Sequence, residues 1–463
     1  MRRVLRFFKW LLILAIMAAA GLAIFLSAAP PALIRVASAY SAKIVCSNVF
    51  IAKRNAGEVL KIDVQAPGHP ILRLMKVSVD KAKGRVEAGL LGLFGKNTAV
   101  YREGLGCTNV TEGGRLAPLQ KPSPSAAPAN AAALWPEGET IAASQDPAIA
   151  AALDDPALQG PGMRAIVAVR NGRMIGERYG DGFDAKTPLL GWSMSKTVNA
   201  AILGTLVRDG KLKLDQTDIF PGWAGDERAN ISVADLMGMS SGLLFNEDYG
   251  SVTDVTRMLF LEPDMANFAL KKPLDAKTGL KFNYSSGTAV LLSRVWQNAL
   301  GGDAGAYPAE ALFRPLGMAS AVMEADASGT FVGSSYLYAT GRDWARFGEF
   351  LRRDGSWNGR AVLPQGFVSM MREPVAVSDS GFGAEYGKGQ LWLRGPEAGT
   401  QAGFDPDAGF DLPQDTFWML GHDGQSTAII PSKGLVVVRL GLTPSKLAYK
   451  PQGLVAALAK ALP

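Results

Sequence analysis

An uncharged run from Trp10 to Ala29, WLLILAIMAAAGLAIFLSAA, follows a flank that carries Arg2, Arg3, Arg6 and Lys9. As a helix this run is on the order of 30 Å long, enough to cross the hydrocarbon core of a bilayer. The basic flank holds the start on the cytoplasmic side, so everything after Pro30 is expected on the far side. A cleavable signal has an apolar stretch of roughly 7–15 residues, which this run exceeds. An uncleaved anchor is therefore favoured, although Ala37, Ser38 and Ala39 offer a small-residue cleavage site if residues 1–33 act as a signal peptide.

The only two cysteines, Cys46 and Cys107, both lie on the exported side. Disulfides persist there, so the two are expected to pair, and closing such a loop contributes about 4 kcal/mol on the chain-entropy model. The net charge of +6 is modest for 463 residues, and four of the positive groups sit in the cytoplasmic flank. Neither a nucleic-acid footprint nor a polybasic membrane patch follows from that balance. His69 and His422 are the only histidines, and neither has ligand spacing with Cys, Asp or Glu. No metal and no cofactor is therefore expected.

From Ala42 to about Arg115 the sequence alternates, as in LRLMKVSVD at Leu72–Asp80. Residues 34–115 are expected to form a small strand-rich domain stapled by the disulfide. Residues 116–134 are Pro- and Ala-rich with little charge, the composition of a linker. Residues 135–463 form the main domain. Near its start, two alternating runs meet at Asn171-Gly172, a strong hairpin signal. Near its end come TFWML from Thr416 and two β-rich runs around Ser432-Lys433-Gly434, followed by a helical pattern in GLVAALAKAL. Between them lie helices, including Ser193 to Arg208 stopped by Gly210, and Thr340 to Arg353 with a capping box of Thr340 and Asp343. The economical architecture is α+β, an antiparallel sheet built from both ends of the domain with helices around it.

Acyl transfer by a nucleophile needs a hydroxyl, a base within reach, a proton donor for the leaving group, and N–H groups aimed at the oxyanion. In GWSMSKTVNAAILGTLVRDG, Ser193 and Lys196 are three residues apart at the start of a helical pattern, so their side chains share a face. The helix N-terminus adds partial positive charge beside the hydroxyl. Ser78 and Lys81 have the same spacing but sit in a period-2 run, where such residues point to opposite faces. A second element is KFNYSSG, in which Tyr284 and Ser286 precede a helical run; a phenol beside a lysine forms a coupled proton-transfer pair. A third is GHDGQ, where Gly424 at a strand position lets a substrate backbone approach and the N–H of Gln425 can face that of Ser193.

These three motifs, in this order, resemble the serine β-lactamase and penicillin-recognising fold, whose signature is SxxK, a Tyr- or Ser-led triplet, and a KTG-like strand motif. The likeness is strongest to the class C β-lactamase-related branch that includes 6-aminohexanoate-dimer hydrolase. DLMGMSSGL, NEDYGSVTDVTRML, NYSSG, ATGRDWARFGEFL and GHDGQ carry it from Trp135 onward. The resemblance implies a β-lactamase/transpeptidase-like fold, with Ser193 as nucleophile and Lys196 and Tyr284 as the base and acid pair; together with the apolar run of residues 10–29, the expected location is the bacterial periplasm, anchored to the inner membrane or secreted if the signal is cleaved. The resemblance also implies that the backbone N–H groups of Ser193 and Gln425 form the oxyanion hole. The triplet ends in Ser286 rather than Asn, and His422 and Asp423 replace the lysine and threonine of KTG. A cation for the carboxylate of a β-lactam or D-alanyl-D-alanine peptide is thus missing. Esters or small linear amides are the expected substrates, with Asp248 and Tyr249 as further contacts; β-lactams or cell-wall peptides are the alternative.

Two rivals stand beside this reading. Gly238-Met239-Ser240-Ser241-Gly242 fits a GxSxG elbow, with Asp407 and His422 following in α/β-hydrolase order, but Ser232 and Asp235 open a helical pattern where the elbow needs a strand. A non-catalytic cell-wall or ligand-binding homologue would keep the pocket without needing Ser193, Lys196 and Tyr284 together. The sequence carries no signal for oligomeric state.

Overall fold

The computed structural model describes residues 2–110, 114–123, 130–302, 304–375 and 385–462. Residues 111–113, at the end of the expected strand-rich domain, and 124–129 of the expected linker lie outside them. The chain begins with α1 (Arg2–Ala28), whose Arg3–Ala28 stretch is long and apolar enough to cross a membrane, with mean hydropathy 2.6; Leu26 near its end packs against the protein core. Pro30 and Pro31 follow, where Pro31 caps α2 (Ala32–Phe50).

The sequence pattern placed strands from Ala42 onward, but α2 continues to Phe50 and the strands begin only at Met75. The reason is burial: Ile34, Val36, Ala39, Ala42, Val45 and Val49 are enclosed from several sides, which erases the one-sided stripe by which a surface helix is recognised. The strands β1 (Met75–Asp80), β2 (Arg85–Leu90), β3 (Phe94–Arg102) and β4 (Gly106–Val110) form an antiparallel meander beside α2. Cys46 of α2 is disulfide-bonded to Cys107 of β4.

This N-terminal segment shares one continuous apolar core with the rest of the chain. Buried polar contacts reinforce the junction. Lys43 is ion-paired with Glu324, whose carboxylate also accepts from Ser47 Oγ at 2.8 Å and from the Cys107 backbone N–H at 2.6 Å. Asp63 pairs with Arg54 at 2.8 Å and with Arg164 at 2.6 Å.

The main sheet draws on both ends of the remaining chain. Strands β5 (Met163–Arg170) and β6 (Arg173–Tyr179) are joined by Asn171 and Gly172, whose φ of 47° and 77° suit the tight two-residue turn read from the sequence. Helices α3 (Met194–Arg208), α4 (Ser286–Leu300) and α5 (Gly341–Arg352) intervene. The expected capping box at α5 forms by half: Thr340 accepts from the Asp343 N–H at 3.2 Å, but the Asp343 carboxylate turns to Ser320 and Arg346. Strands β7 (Tyr386–Gly387), β8 (Leu391–Trp392), β9 (Phe417–Gly421), β10 (Gln425–Ile430) and β11 (Leu435–Gly441) complete the sheet before α6 (Gln452–Ala461).

Its order is β7-β8-β9-β10-β11-β5-β6, with antiparallel neighbours throughout. Alternation sorts the side chains by face. Ile166, Ala168, Ile430 and Val437 meet Leu454 and Leu458 of α6, while Val167, Val169, Ile429 and Val436 face the core that holds Ala345 and Phe347 of α5. The fold is α+β, as expected.

Candidate active site

The site forms where the N-terminus of α3 meets the edge of the sheet. Trp192 has φ of 48°, a left-handed conformation that costs a bulky residue roughly 1–2 kcal/mol. It turns the chain so that Ser193 becomes the N-cap of α3. Gly421, the last residue of β9, allows this turn to dock, because a Cβ there would stand 2.2 Å from the Gly191 carbonyl oxygen. Ser193 and Lys196 thus share the first turn of a helix, as their spacing predicts.

Lys196 is 1% exposed. Its Nζ lies 3.0 Å from Ser193 Oγ, 3.1 Å from Ser286 Oγ and 3.1 Å from the Ser334 carbonyl oxygen. Burial disfavours the ammonium and lowers its pKa to about 8, while the nearby Glu247 carboxylate works the other way. Tyr284 arrives from the segment before α4. Its ring lies 4.6 Å from Lys196 Nζ, and the nearby Ser193 side chain favours the ionised phenol. Burial against Tyr386 and Trp392, and then the negative charge of Glu247, push the phenol pKa up, so it holds its proton.

Glu247 is the member of this cluster that sequence reasoning missed. It accepts from the Ser286 N–H at 2.8 Å and from Ser286 Oγ at 2.5 Å, and stands 4.0 Å from Lys196 Nζ. Burial raises its pKa, opposed by Lys196 and by the two Ser286 hydrogen bonds. It stands in NEDYG, immediately before Asp248 and Tyr249, with no period to mark it. Of those two, Tyr249 belongs to the site: its ring stacks on His422 at 4.9 Å, and burial pushes its phenol pKa up while Ser286 and Ser335 work the other way. Asp248 does not, because it is exposed and its carboxylate caps the Gly250 N–H at 2.8 Å.

The sequence placed His422 through Gln425 on a strand, but His422, Asp423 and Gly424 form the turn between β9 and β10. Asp423 is left-handed with φ of 57°, and His422 contacts both Tyr249 and the edge of Trp192. The close approach at Gly424 is to the protein's own chain, since a Cβ there would stand 2.9 Å from Thr443 Cβ. Gln425 opens β10, and its side chain locks the turn by donating to the His422 and Asp423 carbonyls at 3.1 and 3.2 Å.

The GxSxG serine is elsewhere. Ser240 lines a separate cavity with Leu214 and Met370. Asp407 accepts from the Gly395 N–H, whereas the carboxylate beside His422 is Asp423 at 3.5 Å. Ser240, Asp407 and His422 therefore do not assemble as a triad. Among the described residues no group of three or more His, Cys, Asp or Glu is placed to hold a metal ion.

A family model described as Beta-lactamase matches residues 149–451. The 6-aminohexanoate-dimer hydrolase of Paenarthrobacter ureafaciens is 26% identical over 303 residues, covering 60% of this chain and 72% of that protein. Among solved structures, a family VIII carboxylesterase superposes with a TM-score of 0.54 at 15% identity, over 70% of this chain and 99% of that one. A penicillin-binding protein homologue from Caulobacter crescentus gives 0.52 at 15% identity, over 69% and 98%. At these identities the two structures speak to fold alone.

Proposed function

Because the chain belongs to the beta-lactamase family of hydrolases, we propose that it is a serine hydrolase that works through an acyl-enzyme on Ser193 and acts on esters or small linear amides. The observation that carries this reading is the 3.0 Å approach of a buried Lys196 nitrogen to Ser193 Oγ, with the Tyr284 phenol beside both.

Lys196, with its proton affinity reduced by burial, takes the hydroxyl proton as Ser193 Oγ bonds to the carbonyl carbon. The oxyanion of the tetrahedral adduct lies between the backbone N–H groups of Ser193 and Gln425. Tyr284, whose phenol stays protonated, donates to the departing alcohol or amine and is reprotonated through Lys196. Water then repeats the sequence in reverse and frees the acid. Ser286 and Glu247 hold Lys196 in place. His422, Asp423 and Tyr249 form the wall that meets the rest of the substrate, a surface suited to an amine or a neutral group more than to a carboxylate. The apolar α1 and the disulfide support a periplasmic location, with α1 as a signal or an anchor.

Treating the protein with a fluorophosphonate probe and mapping the modified peptide tests the assignment. The adduct is expected on the peptide that contains Ser193; an adduct on any other peptide removes the mechanism.

A further inference from the structure

A cavity of about 140 Å³ shares Trp192, Tyr249, His422 and Asp423 with the candidate site, and one of its walls comes from outside the region that matches the family. Trp192, the chain neighbour of Ser193, lines it together with Tyr249 and His422. The opposite side is built by Leu33, Val36 and Tyr40 of α2 and by Ile71 and Leu72 after it, with Phe260 at the back. Tyr40 and His69 are the polar side chains of this second wall and the rest of it is apolar, a mostly hydrocarbon lining that suits an apolar group, while Ser251, Thr256 and Asp423 add polar groups elsewhere in the cavity.

The same wall lies next to the membrane helix. Leu33 follows the end of α1 at Ala28 by five residues, a span of at most about 18 Å of extended chain. Gly95 of β3 packs on this joint, where a Cβ would meet Ile34 and Pro30. Leu91 and Leu93, in the neighbouring β2–β3 turn, are 53% and 67% exposed. Apolar side chains on a turn beside an emerging membrane helix are suited to the bilayer surface. The α2 wall of the cavity is therefore tied within a few residues of the hydrocarbon core when α1 spans it.

We propose that the N-terminal segment forms an acyl-chain subsite for the reaction assigned to Ser193, and that it receives the apolar arm of an amphiphilic ester or amide from the bilayer. This rests on the reading of Ser193 as nucleophile. The N-terminal segment is then part of the substrate site as well as a tether, and its helix sets which chain lengths fit.

The test uses the full chain in vesicles and in detergent, with p-nitrophenyl acetate and octanoate as substrates and fluorophosphonate labelling as an independent report on Ser193. Octanoate is expected to be favoured over acetate, and vesicle-embedded octanoate to be hydrolysed at least as fast as the detergent-dispersed ester. Ile71→Trp, which fills the cavity, is expected to lower the octanoate-to-acetate ratio of kcat/KM by about tenfold, the scale on which apolar pockets discriminate. Leu447→Gln, outside the cavity, leaves that ratio unchanged. Equal turnover of both esters, or an unchanged ratio in a labelled Ile71→Trp protein, overturns the subsite. Octanoate hydrolysed only when dispersed overturns the bilayer as its source. Failure of Ser193 to label, with neither ester turned over, strikes the underlying assignment instead.

Discussion

The carboxylate of Glu247 stands 4.0 Å from the Lys196 nitrogen, and the Ser286 hydroxyl is within hydrogen-bonding distance of both. Burial drives the lysine pKa down to about 8 and Glu247 holds it partly up. A lysine that must accept a proton works in its neutral form, so kcat/KM is expected to rise with pH, by about tenfold per unit below 8, and to level off above it. Glu247→Gln removes the opposing charge, which lowers the lysine pKa further and moves this limb to lower pH. A pH profile of ester hydrolysis for the two proteins checks the direction. A limb that stays in place or moves upward refutes the coupling.

Two serines compete for the nucleophile's role, and the structure separates them in space. Ser193→Ala is expected to lose fluorophosphonate labelling and to lower ester turnover by at least about a thousandfold. Ser240→Ala, in its own cavity, is expected to keep both. Intact-mass spectrometry of the labelled variants gives the answer directly.

Glu324 lies in the main domain and is fully buried, but it holds partners from α2 and β4: Lys43, Ser47 and the Cys107 N–H. Glu324→Ala leaves the Lys43 ammonium buried without its counter-charge, which destabilises the fold by about 3–5 kcal/mol. The midpoint of urea unfolding should fall accordingly. A midpoint within the error of the parent protein means that the N-terminal segment is not fastened through this contact.

The disulfide joins residues 61 positions apart and fixes α2 to β4. Cys46→Ala with Cys107→Ala is expected to cost about 4 kcal/mol by freeing the unfolded chain. Reductant should lower the unfolding midpoint of the parent protein and leave that of the double variant unmoved.

The sequence revealed the parts of the site that sit on periodic elements. Ser193 and Lys196 were legible because a helical pattern starts at Ser193, and β5 and β6 because Asn171-Gly172 separates two alternating runs. Glu247 was not, since it lies on an irregular loop where no period marks which side chain turns inward; its neighbour Asp248, of the same chemical type, turns outward. The helix α2 was hidden for the opposite reason: enclosed on several sides, it has no polar stripe to reveal its turn. The wall that α2 and Ile71 give to the cavity is a product of tertiary packing, and no local pattern in residues 33–72 encodes its distance from Ser193.

The pairing of β5 with β11 joins residues 163–170 to residues 435–441. A ribosome has therefore made almost the whole polypeptide before β11 can dock on β5, and until then the early hairpin waits with that edge uncovered. Newly made chains should accordingly lean on holding chaperones, and truncations that remove the last strand should yield protease-sensitive material even when every residue of α3 is present.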